Sequence, residues 1–463
     1  MRLLCNPAAA FLLISIPFGA ATLAINPPLR GYDETSHFLR AYGISKGDVV
    51  PSTFDEKGRR GILIPDRLNE ELSVFEEARQ YVFTPGFDYR PAFDKYRRLL
   101  AERRTQGSSE VFALYQGSEA YSPVPYLPQI VVAWLGRIFN ADFLTLFTLM
   151  RVVGFVVMTS VVTYAIAIVP HLQWSFFAIA MLPSAFYGRT LVGADGAALS
   201  FSLAVMALSL RRACNPLPDA PWSRAVFMTL CVLSKPPQVV WTLLEAMAPP
   251  AKGISRDWTK VMLITLPGIV LTGLWIAAVS GDVGAWRVSA GTNTPPEMFG
   301  AKQQLVLLLS HPLRFPSMLL ATLGHWEIVQ LWRQLIGTLG WLDTGLQGWT
   351  YPTLSALLVA TCISPLPLDA AVRRRLAAAC AVTALAYVLC VYLIFYLVWT
   401  PTNVEVIWGV QGRYLVVVLA PLAVVAAATI NRGPSATIRA TLAVATATLS
   451  AVATIEALLR VNW

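Results

Sequence analysis

Residues 143–168 read FLTLFTLMRVVGFVVMTSVVTYAIAI, an apolar run in which Arg151 carries the only charge. At about 1.5 Å of rise per residue, a helix of this length crosses the hydrocarbon core of a bilayer, which is about 30 Å thick. The whole chain agrees, because 56% of its 463 residues are hydrophobic and only 14% are charged. Soluble domains contain about 25% charged residues. The sequence therefore predicts an integral membrane protein.

Similar apolar runs lie on both sides of this segment. They occupy residues 8–25, 174–191, 196–210, 225–248, 261–279, 350–367, 376–398, 412–430 and 440–459. We expect 8–25 to be an uncleaved first span, with a cleaved signal peptide as the alternative. The proline-rich stretch 121–140 is short for a crossing, so we expect a helix in or near the outer membrane surface. The crossing or re-entrant nature of 303–340 stays open.

These runs predict an all-α polytopic membrane protein with about eleven membrane segments, half-helices counted separately. The expected regions are a first span (1–25), a large extracytoplasmic loop with juxtamembrane helices (26–142), a transmembrane core (143–279), a second extracytoplasmic region (280–349) and C-terminal spans (350–463).

The net charge of +9 is unevenly distributed along the chain. Residues 26–122 contain 15 Asp+Glu and 14 Lys+Arg, a net of −1, whereas the remainder carries +10. The excess lies in short connectors, as at Arg211–Arg212 and Arg373–Arg375, which are expected on the cytoplasmic side. The basic balance therefore orients the spans and does not indicate nucleic-acid binding.

The stretch 225–248 has basic connectors on both sides, so both of its ends are expected at the cytoplasmic face. It is too short for two full crossings at helical rise. Ser234-Lys235-Pro236-Pro237 lies at its middle, which favours a broken hairpin of two half-helices with Lys235 at the apex. A single kinked span with a lysine that extends to the interface is the alternative.

Acidic residues close to the outer ends of spans are the first candidates for chemistry. Asp33 and Glu34 follow the first span, with His37 nearby, and a carboxylate fixed at a membrane surface suits a general base. Asp195 follows the segment 174–191 and could complete a two-carboxylate site with Asp33. A helix cap or solvated turn is the alternative for each of these acids.

Cations at the outer or mid-membrane level form a second set of candidates. They are Arg151, Arg189, Lys235 and Arg413, and a cation in lipid needs a partner such as phosphate or a buried acid. Tyr414 is the neighbour of Arg413, with interfacial anchoring as its alternative. Asp343 follows Trp341 in G-W-L-D-T (340–344), a pairing that suits sugar hydroxyls, although an interfacial tryptophan explains Trp341 equally well.

Several other chemistries lack sequence support. The chain contains no Walker phosphate loop, no G-x-G-x-x-G and no H-E-x-x-H. Its six cysteines form no Cys-x-x-Cys pair, and its four histidines show no i, i+4 spacing. A zinc site or a disulfide framework is therefore not expected.

An ordered set of motifs carries a resemblance to a known family. It comprises N-P-P-x-x-G-Y-D-E-x-x-H-F-x-R-A-Y (26–42), Y-S-P-V-P-Y-L-P-Q (121–129), Arg151, the run from Ser184 to Asp195, S-K-P-P (234–237), G-W-L-D-T (340–344) and G-V-Q-G-R-Y (409–414). Together they resemble the bacterial domain-of-unknown-function 2142 family of membrane proteins, which is grouped with the C-type (GT-C) glycosyltransferase superfamily.

The resemblance implies a GT-C-like bundle in the bacterial inner membrane with its active site on the extracytoplasmic side. The implied enzyme moves a sugar from a polyprenyl-phosphate donor to an envelope glycan or lipid acceptor. Asp33, with Glu34 beside it, matches the acid that acts as base or binds a divalent cation (Mg²⁺ or Mn²⁺), and Asp195 matches a second acid. Lys235 matches a Lys-Pro segment. A flippase of a lipid-linked saccharide stays open, as does a scaffold in an envelope-polysaccharide complex.

Overall fold

Helices account for most of the chain in the computed structural model, which describes residues 6–102, 109–214, 221–249, 255–280, 295–324 and 327–463. The helices are α1 (Pro7–Ile25), α2 (Glu34–Ser45), α3 (Asp66–Gln80), α4 (Arg90–Ala101), α5 (Leu127–Ile138), α6 (Phe143–Ile168), α7 (Gln173–Met181), α8 (Pro183–Thr190), α9 (Asp195–Cys214), α10 (Pro221–Ser234), α11 (Thr242–Met247), α12 (Trp258–Val279), α13 (Ala301–Ser310), α14 (Arg314–Leu323), α15 (Glu327–Gly337), α16 (Thr350–Cys362), α17 (Ala370–Ile394), α18 (Leu419–Ile430) and α19 (Ala436–Asn462).

Short strands and tight helical turns complete the described secondary structure. The strands are β1 (Thr53–Phe54), β2 (Arg60–Pro65), β3 (Glu110–Leu114), β4 (Thr338–Leu339) and β5 (Thr344–Gly345). Turns of 3₁₀ helix occupy Ser118–Ala120, Val124–Tyr126, Pro236–Trp241, Pro296–Met298 and Gly412–Val418, and a π turn occupies Phe395–Trp399.

Seven helical segments of the described chain are long and apolar enough to cross a membrane. They are α1, α6, α9, α12, α17 with the π turn, α18 with the 3₁₀ turn before it, and α19. Outward-facing side chains of α12, such as Leu263, Leu266 and Leu274, are exposed, as expected where lipid covers the surface. The protein is thus a helical, polytopic membrane protein.

Other apolar stretches form shorter or broken helices, so the structure gives seven or eight full spans and does not confirm the number of eleven segments, in which half-helices were counted separately. The run 174–191 divides into α7 and α8 at Leu182–Pro183, where proline has no N–H to continue the helix. Helices α13 and α14 are bent by 106°, so they form an eighth span or a re-entrant pair. Helix α16 has only 13 residues.

The segment 225–248 consists of α10, a 3₁₀ turn and α11, with the break at Lys235. Lys235 has extended backbone, and the two prolines that follow it cannot donate hydrogen bonds to α10. At the far side, Glu245 of α11 pairs with Arg224 of α10 and with Arg212 of α9. Both outer ends of the hairpin therefore meet at one end of the bundle, with Lys235 at its apex.

Residues 26–142 form a unit outside the long helices, which we call the loop unit. Its antiparallel sheet has the order β1-β2-β3, which the all-α expectation did not include. Helices α2, α3 and α4 pack with this sheet around Phe38, Phe75 and Tyr96. The exposed side chains of α5 include Val131, Trp134 and Ile138, spaced as on one face of a helix.

The ends of the long helices fall into two groups. Trp463 donates from Nε1 to the carbonyl of Ile25, at 2.8 Å, which joins the C-terminal ends of α19 and α1 beside the loop unit. Arg211 and Arg212 lie in the last turn of α9, Arg373–Arg375 lie close to the start of α17, and Arg432 lies between α18 and α19. Helices α9 and α18 run away from the loop unit, whereas α17 and α19 run toward it. These basic residues therefore lie at the end of the bundle opposite the loop unit.

Candidate active site

Asp33 occupies the N-cap position of α2 but does not cap it. Its φ of 50° is left-handed, a conformation that costs a non-glycine residue about 1 kcal/mol or more. No helix N–H reaches its carboxylate. That group is 50% exposed and accepts a hydrogen bond from Arg413 Nη2 at 2.8 Å. The capping alternative therefore fails for this residue, and its carboxylate is free to face the site.

Asp195 begins α9 and lies between two cations. Lys235 Nζ contacts its Oδ1, and Arg413 Nη1 is 3.2 Å from its Oδ2. Close packing of α8 on α9 fixes this position, because a Cβ on Gly196 would lie only 2.7 Å from the Gly188 carbonyl. The two carboxylates that the sequence pointed to are thus brought to one place.

Lys235 and Arg413 supply the positive charge of the site. Lys235 is 7% exposed, and its Nζ is 4.7 Å from the ring centre of Tyr414. Arg413 is 8% exposed, and its guanidinium lies 4.3 Å from the ring centre of Tyr32. Aromatic faces attract cations and exclude water, so both charges are held in a partly dehydrated setting.

The backbone around Arg413 explains how it reaches both acids. Gly412 packs directly against the backbone of α15 at Leu331, where a Cβ would collide. Its N–H donates to Gln334 Oε1 at 2.8 Å, and Arg413 Nε donates to Gln411 Oε1 at 2.6 Å. The start of the span is anchored, and the guanidinium projects from it toward Asp33 and Asp195.

Two acids and two cations make the charged part of the site neutral overall. Burial alone would raise the pKa of Asp33, but the guanidinium of Arg413 outweighs it and lowers that pKa below the ordinary value. Asp33 is therefore ionised at neutral pH. A ligand that competes for Arg413 would raise this pKa and make the carboxylate a stronger base.

A narrow cavity lies on the bundle side of these charges. Its lining includes Asp195, Lys235 and Arg413, the rings of Tyr32, Tyr387 and Tyr414, and the side chains of Leu199, Val416 and Val417. One end is therefore charged and the remainder is mostly apolar or aromatic. The volume is about 20 Å³, room for about one water molecule, so the lining indicates which groups meet here: charged ones beside apolar ones.

His37 and Tyr414 also belong to this place. His37 Nδ1 is 2.6 Å from the hydroxyl of Tyr126, and His37 is 7% exposed. Burial disfavours the imidazolium and lowers the pKa of His37 to about 4, so the ring is neutral at pH 7. The Tyr414 hydroxyl accepts from Arg413 Nη2 at 3.3 Å, which joins it to the site.

Glu34 faces the other way from Asp33, and the structure corrects its expected catalytic role. It is 0% exposed. Its Oε1 accepts from Arg151 Nε at 2.8 Å and from Val192 N at 3.1 Å, and its Oε2 accepts from Gly31 N at 2.7 Å. No oxygen is left for a substrate, so Glu34 positions the backbone around Asp33.

Arg151 is the partner in this clamp and is not available to a phosphate. Its Nη1 donates to the Asn26 carbonyl at 2.7 Å and its Nη2 to the Pro27 carbonyl at 2.9 Å. All of these bonds run from α6 to the segment that leads into α2. The expected substrate-binding role of Arg151 is thus replaced by a structural one.

Arg189 is also outside the site. It is 1% exposed, donates from Nη1 to the carbonyl of Ala180 at 2.8 Å, and lies beside the rings of Phe11 and Phe186. Its Nε and Nη2 have no hydrogen-bond partner in the described chain. Arg189 therefore bridges the break between α7 and α8 within the core.

Asp343 belongs to a separate ion pair near the C-terminal end of α19. Its carboxylate takes both terminal nitrogens of Arg30, at 2.7 and 2.8 Å. Arg30 also donates to Asn462 Oδ1 at 3.1 Å, which joins the start of the loop unit to the end of α19. This fork accounts for the conformation of G-W-L-D-T (340–344), and Asp343 is not among the site residues.

Four tyrosines of the site were not predicted from the sequence. They are Tyr32, Tyr121, Tyr126 and Tyr387. Tyr32 lies within the G-Y-D-E motif, and Tyr121 and Tyr126 begin and end Y-S-P-V-P-Y. Their motif positions could have indicated them, whereas Tyr387 lies within an ordinary apolar span and carries no such signal.

The donor set does not fit a divalent cation. In the described residues, no group of three or more His, Cys, Asp and Glu side chains comes together. Asp33 and Asp195 are each matched by a cation, and Mg²⁺ prefers six oxygen ligands in an octahedron. A metal would have to displace Lys235 and Arg413, so we derive no step through one.

The family of the chain follows from comparison with known families. The model of the family "Predicted membrane protein (DUF2142)" matches residues 16–426. The chain belongs to this family. The DUF2142 match runs from within α1 into α18, so it includes Asp33, Asp195, Lys235 and Arg413. None of the curated proteins and none of the solved structures compared with the chain matches it.

Proposed function

We propose that this DUF2142 protein is a membrane glycosyltransferase that moves a sugar from a polyprenyl-phosphate donor to an envelope glycan or lipid acceptor. The observation that carries the proposal is the meeting of Asp33, half exposed, with Arg413 and Lys235 above an apolar cavity. A base and two phosphate-binding cations, beside apolar and aromatic side chains, suit this reaction. The GT-C grouping that the resemblance to the DUF2142 family implies supports the same assignment.

The chemistry places one role on each charged group. The acceptor hydroxyl oxygen attacks the anomeric carbon while Asp33 takes its proton. The bond between that carbon and the phosphate oxygen breaks, and its electron pair leaves with the polyprenyl phosphate. Arg413 and Lys235 would stabilise the charge that grows on the phosphate. Attack opposite the leaving group inverts the anomeric centre.

The ion pairs between these groups suggest an order of events. A phosphate that takes Arg413 and Lys235 as partners would replace the carboxylates of Asp33 and Asp195. Asp33 would then lose the guanidinium that lowers its pKa. The bound donor would thus activate the base. After the polyprenyl phosphate leaves, Lys235 and Arg413 would pair with Asp195 again.

The same proposal includes the orientation of the protein in the bacterial inner membrane. Basic connectors lie at the end of the bundle opposite the loop unit, and such residues favour the cytoplasmic side. The site and the loop unit would then face the extracytoplasmic side. A glycan or lipid acceptor could reach Asp33 there from the loop-unit side.

The experiment supplies purified protein in lipid nanodiscs with polyprenyl-phosphate sugars and membrane glycan extracts, and measures free polyprenyl phosphate. We expect release by wild type and a loss of about 10²- to 10⁴-fold in Asp33→Asn, which removes the base. Asp94→Asn is the matched control, since Asp94 lies on α4 outside the site, in an exposed pair with Arg97. Wild-type turnover in Asp33→Asn would end the proposed role of that residue. Transfer of sugar lipid across a vesicle membrane without release would identify a flippase instead.

A further inference from the structure

His37 and Tyr126 form a buried hydrogen-bonded pair beside the charged groups. Tyr126 is 0% exposed, and its hydroxyl has His37 Nδ1, at 2.6 Å, as its one hydrogen-bond partner within the described residues. A phenol that did not donate to Nδ1 would bury its proton without an acceptor, which is costly. Tyr126 therefore donates and Nδ1 accepts.

This arrangement fixes the tautomer of His37. The ring is neutral at pH 7, since burial lowers its pKa to about 4. With Nδ1 unprotonated, the single ring proton is on Nε2. The His37 ring makes no other hydrogen bond in the described chain, so Nε2–H is a donor without a partner.

The position of Nε2 relates it to the base. Asp33 precedes α2 and its carbonyl accepts the backbone N–H of His37 at 3.1 Å, so His37 lies one helical turn from the base. Gly193, two residues before Asp195, lies beside the ring edge, where an added Cβ would be in ordinary van der Waals contact, 3.5 Å from Cδ2 and 3.9 Å from Nε2. The ring is also close enough to Asp33 and Asp195 for their negative charges to act on it, so Nε2–H lies beside the charged groups of the site.

Tyr121 provides an aromatic surface at the same place. Its ring lies edge-to-face with His37 at 5.4 Å and 5.9 Å from Lys235 Nζ. The ring is partly exposed, and its hydroxyl makes no hydrogen bond to the described residues. The site thus offers an aromatic ring and two donors without partners, His37 Nε2–H and the Tyr121 hydroxyl. A sugar ring matches this set, because it has C–H groups on one face and hydroxyls around its edge.

We propose that His37 and Tyr121 form a sugar-binding subsite next to Asp33, in which Tyr126 holds His37 as a neutral Nε2–H donor to a sugar hydroxyl. This inference rests on the proposed function and adds the ligand chemistry of one part of the site. His37 contacts the sugar, and Tyr126 is a positioning residue. The hydroxyl can belong to the donor sugar or to the acceptor glycan.

The test uses ¹⁵N-histidine-labelled protein in nanodiscs, with the His37 signals assigned by their loss in His37→Gln. We expect the Nε2–H tautomer in wild type and a mixture of tautomers in Tyr126→Phe. The probes are undecaprenyl phosphate, its glucose, galactose and mannose derivatives, and free oligosaccharides from a membrane glycan extract. A shift of the Nε2 signal with sugar lipids assigns the donor sugar, and a shift with free oligosaccharides assigns the acceptor.

Affinities measured in the same samples provide the second readout. We expect Tyr126→Phe and Tyr121→Phe to weaken the binding of the sugar-bearing probe about five- to tenfold, as for one lost hydrogen bond, and bare undecaprenyl phosphate by less than twofold. His171→Gln is the matched histidine control, because His171 lies between α6 and α7 at the other end of the bundle.

Three results would overturn the subsite: an Nδ1–H tautomer in wild type, an Nε2 shift that bare undecaprenyl phosphate produces equally, or no shift with any sugar-bearing probe while the bare lipid binds. None of these readouts needs turnover. A failure to release polyprenyl phosphate would therefore reject the glycosyltransferase and leave the sugar subsite standing, and the reverse also holds.

Discussion

Asp33 and Glu34 are neighbours in the chain, and each pairs with an arginine, yet their surroundings differ completely. Glu34 is 0% exposed, and both of its oxygens are taken by Arg151 and by backbone N–H groups. Asp33 is 50% exposed, and its partner Arg413 is shared with Asp195. An ion pair by itself therefore does not mark a functional site. Open lone pairs and a shared partner next to a cavity do.

The largest effect on stability is expected from Glu34→Gln. The substitution leaves the buried Arg151 without its counter-charge and places an amide donor against backbone donors. We expect a loss of about 3–5 kcal/mol in the free energy of unfolding. Asp33→Asn is the matched control and should cost less than about 1 kcal/mol, because its carboxylate is half exposed. Denaturant unfolding in detergent micelles measures both.

Activity per folded molecule completes this first comparison. Glu34→Gln should retain it within a few-fold, since the carboxylate does not reach the site. A Glu34→Gln protein that is fully stable but inactive would reverse the assignment of the two neighbours and return Glu34 to the catalytic candidates.

The sequence predicted the long helices and the break at Lys235, because both depend on local properties. Apolar runs longer than about 18 residues specify spans, and two prolines after a lysine interrupt a helix wherever they occur. The sheet β1-β2-β3 was missed, since its strands have only two to six residues and lie within polar sequence.

Only part of the candidate site could be predicted, because its residues are far apart along the chain. Arg413 and Asp33 are separated by 380 positions, so no local pattern shows that they pair. Cations that were equivalent in the sequence therefore separated in the fold: Arg413 and Lys235 reached the acids, whereas Arg151 and Arg189 became buried structural groups. Long-range packing decided between them.

Acid should affect stability through His37 more than through Asp33. The pKa of His37 is lowered from 6.5 to about 4, so below pH 6.5 the unfolded chain binds a proton that the folded protein excludes. Stability should fall as the pH is lowered from 6.5 to 4, by at most about 3 kcal/mol from this group, and then level off. Asp33, with a lowered pKa, contributes only below that window.

Thermal unfolding between pH 4 and pH 7.5 measures this dependence. His37→Gln removes the titrating ring and should flatten the curve within the window. An unchanged slope in that variant would show that another group is responsible, and His37 would then not be buried in its neutral form.

A change of geometry at constant charge should affect activity by a smaller amount. Arg413→Lys keeps one positive charge but cannot bridge Asp33 and Asp195, because an ammonium lacks the planar fork. We expect kcat/KM for the sugar lipid to fall about 10- to 100-fold, about 1.4–2.7 kcal/mol of transition-state stabilisation. Arg460→Lys, in the exposed pair with Glu456, is the control. Equal rates in both variants would contradict the bridging role.

The smallest effect is expected at an ion pair that is short but has both side chains exposed to water. Lys95 Nζ lies 2.6 Å from Glu77 Oε2, closer than the 2.8 Å between Arg413 and Asp33. The side chains of Lys95 and Glu77 are 55% and 59% exposed. Lys95→Met should change the unfolding free energy by less than about 0.5 kcal/mol. Water weakens the attraction between the two charges and also solvates each charge when the pair is broken. Denaturant unfolding at low and high salt measures it. A loss above 2 kcal/mol would mean that distance, and not burial, sets the strength of these pairs, and the contrast between Glu34 and Asp33 would then lose its physical basis.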